Sequence, residues 1–143
     1  MKLLESKYYP NKGFSIVTLK HNGKTYTGNA SYNEEEEKHP PNSFFGQRLA
    51  EKRAMIEYWK DKRDINRIKE QALKSLLKDL EPHIQDGVLE EGLYEIILEK
   101  LEQHIKYYNK EVKDCKKQID YLKREIKESL KIREQLFNKV KNS

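Results

Sequence analysis

The chain has 143 residues, of which 36% are hydrophobic and 37% charged, with a net charge of +5 and a pI near 9.1. That length holds one domain, or a small domain with a helical extension, and so little apolar material excludes a large compact core. Extended disorder is excluded too, because the charges alternate with apolar residues at helical spacing. No apolar run reaches the length of a membrane span, and no signal-peptide core opens the chain.

The first third predicts strands. Leu3 to Tyr9 carries apolar and aromatic residues, and Pro10-Asn11-Lys12-Gly13 marks a turn. Phe14 to His21 and Lys24 to Tyr32 both alternate, with Asn22-Gly23 between them. Asn-Gly is a strong hairpin signal, because a type I′ turn needs positive φ at both central residues. A two-residue loop there sets Leu19 against Tyr26, Val17 against Gly28 and Ser15 against Ala30. One face then carries Val17, Leu19, Tyr26, Gly28 and Ala30; the other carries Thr18, Thr25, Thr27 and Asn29. A lone hairpin is marginal in water, so the apolar face needs a cover. Small Gly28 and Ala30 leave room for a helix.

Glu34 to Glu37, then Lys38, His39, Pro40 and Pro41, form a polar loop. It could be an acidic recognition loop or a weak cation site, but such runs usually solvate. Here it puts negative charge before a helix N-terminus, which the helix dipole favours. His39 has no second His or Cys at ligand spacing.

Asn42 or Ser43 caps a helix. Leu49, Ala50, Arg53 and Ala54 are expected over the hairpin, and the apolar spacing runs on through Ile65, Ile68, Ala72, Leu73, Leu76, Leu77 and Leu80. Pro82 is expected to end this helix, and His83 to Gly87 to connect it to a last one starting at Val88 or Leu89. In the last helix Leu98, Leu101, Ile105, Tyr108, Val112, Cys115, Ile119, Leu122 and Ile126 form a heptad seam, which slips near Ser129 and Arg133.

A first helix of about 40 residues and a second of about 54 differ in length by roughly 20 Å. Folded back antiparallel, the first leaves an apolar stripe from Ile119 to Val140 exposed. A second copy of the chain is the simplest cover, so the seam is expected to hold a homo-oligomer, with a dimer first. Cys115 is the single cysteine and cannot form an intrachain disulfide. A reducing, cytoplasmic setting and a role as a small buried hydrophobe follow, with a cross-link between copies as the other use.

No catalysis is expected. His21, His39, His83 and His104 are scattered, and no nucleophile stands beside one in a working pattern. No cofactor or metal is implied. Nucleic-acid binding is the alternative to weigh, because Lys60, Lys62, Arg63 and Arg67 lie near Tyr58 and Trp59, and Lys116, Lys117, Lys123 and Arg124 enrich the last helix. Carboxylates among them dilute that field, and Trp59 fits a core anchor better. Nine tyrosines, Tyr107 and Tyr108 side by side among them, suit protein interfaces.

Gly23, Tyr26, Gly28 and Ala30, followed after the acidic loop by Gly46, Leu49, Ala50, Arg53 and Ala54, form the pattern G-x-x-Y-x-G-x-A and then G-x-x-L-A-x-x-R-A. Over about a third of the chain this resembles short proteins encoded by phages and prophages of Gram-positive bacteria. The present chain departs from them in its much longer helical extension. The resemblance implies a small accessory protein of a mobile element, acting inside a bacterial host cell. Such proteins commonly bind and disable host proteins, immune enzymes among them, or serve phage DNA metabolism. No functional residues carry over from it.

These readings combine into an α+β fold: a small antiparallel sheet packed on a helix (residues 1–60), then a long helical hairpin or coiled coil (61–143). The expected function is non-catalytic binding and inhibition of a bacterial host protein; a DNA- or RNA-binding accessory role is the alternative.

Overall fold

The computed structural model describes residues 2–9, 13–31, 43–87 and 90–141. The fold is α+β: a three-stranded antiparallel sheet followed by two long helices in a hairpin. Strands β1 (Lys2–Tyr9), β2 (Phe14–His21) and β3 (Lys24–Ser31) lie in the order β1-β2-β3. The β2–β3 pairing is the register expected: Leu19 opposite Tyr26, Val17 opposite Gly28, Ser15 opposite Ala30. Asn22 at φ 49° and Gly23 at φ 79° make the turn, both in the left-handed region that a type I′ loop requires. The first strand, which the sequence does not place, pairs with the other edge of β2 and slips register between Leu3 and Glu5. The polar loop at 34–41, the turn at 10–12, and the cap at Asn42 lie outside the described residues.

Helix α1 spans Ser43–Gln85 and α2 spans Glu91–Lys141. Pro82 does not stop α1. A proline so near the end loses one backbone bond, but the final turn closes without it: the Asp86 amide donates to the Pro82 carbonyl at 3.0 Å. The stop falls at Gly87, whose φ of 71° is the left-handed C-terminal conformation, with its amide on the Ile84 carbonyl at 3.0 Å. Among the described residues helix α2 begins at Glu91, and the Glu90 carbonyl accepts from the Tyr94 amide at 2.9 Å. Val88 and Leu89 themselves are outside the described residues.

The chain divides into two compact units. A sheet unit comprises Met1–Trp59 with Gln118–Ser143, and a helical unit comprises Lys60–Lys117. The division falls within α1 between Trp59 and Lys60 and within α2 between Lys117 and Gln118, so the C-terminal part of α2 groups with the sheet.

In the sheet unit, Val17, Leu19, Ala30, Leu49, Ala50 and Ala54 form one buried cluster, against which Phe45, Met55, Ile126 and Leu130 pack. A second joins Ile56, Ile119 and Leu122, flanked by Trp59. The sheet's inner face thus takes α1, and α1 and the sheet together take the end of α2.

Candidate binding surfaces

The motif residues of the hairpin and of α1 all have structural work. Gly28 is buried because α1 lies directly on it. A methyl group there would overlap the Ala50 carbonyl and the Ala54 amide. Arg53 reaches across from α1, and its guanidinium donates to the Asn29 carbonyl at 2.8 Å. Gly46 sits over Ser15, where an added Cβ would come within 2.6 Å of the hydroxyl oxygen. Tyr58 meets the rings of His21, Tyr26 and Trp59 edge-on, with centroids 5.0, 5.4 and 5.0 Å away. The repeated glycines and alanines therefore describe how a hairpin seats a helix, and they leave no ligand cradle.

The seam of α2 is a correction. Leu101, Val112, Cys115, Ile119 and Leu122 are buried within a single chain, and Leu98, Ile105, Tyr108 and Ile126 are half-buried. Ile119 and Leu122 meet Ile56 of α1, and Ile126 reaches the hairpin cluster. No exposed stripe runs from Ile119 to Leu130, so the seam is not the oligomer contact expected of it. The length argument missed that α1 offers two faces, Leu49, Ala50 and Ala54 to the sheet and Met55 and Ile56 to α2. The slip at Arg133 also has a cause, because its guanidinium lies 4.2 Å from the centre of the Phe45 ring. The side chains of Leu136, Phe137 and Val140 lie outside the described residues. With Cys115 only 1% exposed and its thiol pushed up chiefly by burial, a cross-link between copies is closed off in the folded chain.

The eight cations singled out for nucleic acid differ in how they are engaged. On α1, Arg63 donates to Asp64 at 3.1 Å, Arg67 approaches the same carboxylate at 3.9 Å, and Lys60 and Lys62 are likewise engaged within the chain. Lys52, earlier on α1, pairs with Glu125 at 3.1 Å. Lys116, Lys117, Lys123 and Arg124 on α2 are exposed and take part in none of the ion pairs among the described residues.

Inside the helical unit the contact between α1 and α2 is partly polar. Glu70 is buried; Lys74 lies 3.1 Å from its Oε1, and the Asn109 amide donates to the same oxygen at 3.1 Å. Its carboxyl is held below the ordinary value by the Lys74 hydrogen bond first and by Asn109 after burial has worked against it. Asn66, also buried, donates to the Lys62 carbonyl at 2.9 Å. A polar pair across an otherwise apolar contact fixes which turns face each other.

The outer side of this unit is where apolar groups go unburied. On α1, Ile65, Ile68, Ala72 and Leu76 recur every three or four residues, about a third of a turn away from the inward row of Asn66, Glu70, Leu73 and Leu77. Ile68 is 65% exposed. On α2, Leu93, Ile96 and Tyr107 are exposed, Ile96 by 60% and Tyr107 by 57%. At about 100° per residue both rows open on one side of the helix pair. It is the side where Lys69 crosses to the Tyr108 ring at 5.4 Å, with the Tyr107 ring set edge-on to Tyr108 at 5.3 Å. Sequence reasoning flagged Tyr107 and missed the α1 row, because Ile65, Ile68 and Leu76 read as part of one continuous core stripe; the offset of a third of a turn was the available signal.

Among the described residues there is no group of three His, Cys, Asp or Glu placed to hold a metal, and no helix long and apolar enough to cross a membrane. Compared with known proteins, the chain matches no family model, no curated protein and no solved structure.

Proposed function

We propose that this protein is a non-catalytic binding protein whose helical unit docks on a protein of a bacterial host cell and inhibits it. The observation that carries the reading is the unburied apolar side of that unit, with Ile65, Ile68 and Leu76 on α1 beside Tyr107 on α2. Contiguous apolar groups rimmed by charge mark protein contacts more often than they mark anything else on a soluble domain. Tyrosine fits such a surface because it adds contact area at little cost in rotamer freedom. The resemblance of the hairpin and α1 to phage and prophage accessory proteins supplies the kind of partner: a host factor, with defence proteins foremost. A second copy of the chain is the other protein that fits this side, and self-pairing there replaces the pairing expected through the α2 seam.

The test is capture from a Gram-positive bacterial lysate with the tagged full chain, against Ile68→Glu/Leu76→Glu. Both positions are exposed, so circular dichroism should stay unchanged. The reading predicts a discrete protein held by the native chain and lost with the double substitution. Equal recovery by both would place recognition elsewhere.

A further inference from the structure

We propose that Arg53 guards the free edge of β3 and holds it closed to strand addition by a second copy of the chain. Every residue involved lies in the sheet unit, so the inference does not depend on the apolar side of the helical unit. In the order β1-β2-β3, each outer strand has one edge with no strand beside it among the described residues. In a hairpin closed by a two-residue turn, the pair flanking the turn is hydrogen-bonded, and bonded and non-bonded pairs alternate from there. Lys24, Tyr26, Gly28 and Ala30 therefore bond to β2, while Thr25, Thr27, Asn29 and Ser31 turn their amides and carbonyls outward. All four are exposed. A row of this kind is a template on which another strand can pair.

The two edges are protected in different ways. On β1 the register with β2 slips between Leu3 and Glu5, which breaks the straight edge, and Glu5 and Lys7 add a charged pair 3.3 Å apart. Strand β3 has neither device. Its register with β2 is unbroken from Ser31 opposite Phe14 to Lys24 opposite His21, it holds no proline, and Lys24 at its start is its one charged residue. What it has is Arg53. Gly28 lets α1 down so close that the Arg53 backbone lies 3.0 Å from where a Cβ would stand. From there the guanidinium donates to the Asn29 carbonyl at 2.8 Å.

That carbonyl belongs to the outward-facing set, so the bond lies on the free edge itself. An added strand would have to run about 4.8 Å from β3, in the space that the guanidinium fills. A guanidinium has donors and no acceptor and keeps its charge at any ordinary pH, so it cannot join a ladder that needs both. The strand it keeps out is a second β3. Antiparallel pairing of β3 with itself about Thr27 sets Thr27 opposite Thr27 and Thr25 opposite Asn29. Those are neutral pairs that a ladder accepts, with no like charges opposed.

The experiment is light scattering on the full chain over a range of concentrations, for the native protein, Arg53→Met and Arg53→Met/Thr27→Pro. Methionine keeps the length of the aliphatic stem while removing the charge and the donors. Arg53→Met should raise the average mass about twofold or more over the native chain at the same concentration, and bring up an intermolecular-strand band in the infrared amide I region. The Thr27 amide faces outward, so proline there takes no bond from the β2–β3 ladder and blocks an added strand in its own right. The double variant should return to the native mass although it is no more stable than Arg53→Met, with thermal melts read beside the scattering. If association came only from lost stability, the double variant would associate at least as strongly. Native mass for Arg53→Met at every concentration, or equal association by the single and double variants, would overturn the proposal.

Discussion

At the scale of single residues, the tightest constraint is the seat of α1 on the hairpin. Gly28 has the Ala50 and Ala54 backbone where a side chain would be, so relief requires moving a helix and not a rotamer. Gly28→Ala should cost about 3 kcal/mol, at the upper end of overpacking penalties, and urea unfolding checks it. Ser15 makes the opposite case. It is buried opposite Ala30, and its hydroxyl has no hydrogen-bond partner among the described residues. Ser15→Ala removes an unpaired polar group without leaving a hole of any size, and should raise stability by about 1 kcal/mol. A fall in the unfolding midpoint would mean that the hydroxyl is satisfied after all. The motif residues were legible as a hairpin–helix unit for the reason that they act locally: a turn, a close approach, a reach to one carbonyl.

At the scale of elements, the two helices are held in register by polar groups. Glu70 is the centre, accepting from Lys74 and Asn109. Its carboxyl is more acidic in the folded chain than the ordinary 4.5, through those bonds. The ionised form therefore stabilises the fold at neutral pH, and that contribution is lost as pH falls below the ordinary value and through the folded one. Thermal melts should drop more steeply over that acid range in the native chain than in Glu70→Gln; identical pH profiles would remove Glu70 from the account. Asn109→Ala should cost about 1–2 kcal/mol by leaving a buried acceptor short of a donor. None of this pairing shows in the sequence, where Glu70 and Asn109 read as two more solvent-facing polar residues. Periodicity names the inward row but not what the row opposite holds. The end of α1 was missed for a related reason: Pro82 is a stronger sequence signal than Gly87, yet only the glycine provides the backbone conformation that closes the helix.

At the scale of the whole chain, the heptad row of α2 was the plainest feature of the sequence and the one that misled. A heptad pattern says that a helix has an apolar partner; it does not say which chain supplies it. Here the supply is internal: α1 and the hairpin meet the end of α2 in the sheet unit, and Glu70 and Lys69 of α1 meet Asn109 and Tyr108 of α2 in the helical unit. The surface left for recognition is then the outer, apolar side of the helical unit, and on the proposed reading Ile68→Glu/Leu76→Glu should abolish capture of a partner protein while sparing the fold. The measurement that tests the internal seam most directly is the rate at which Cys115 reacts with a small thiol reagent as the protein is diluted. A seam filled by its own chain keeps Cys115 buried at every concentration, so labelling should be slow and independent of dilution, rising only with denaturant. A rate that climbs as the protein is diluted would show that a second chain covers α2, and would return the seam to an oligomer.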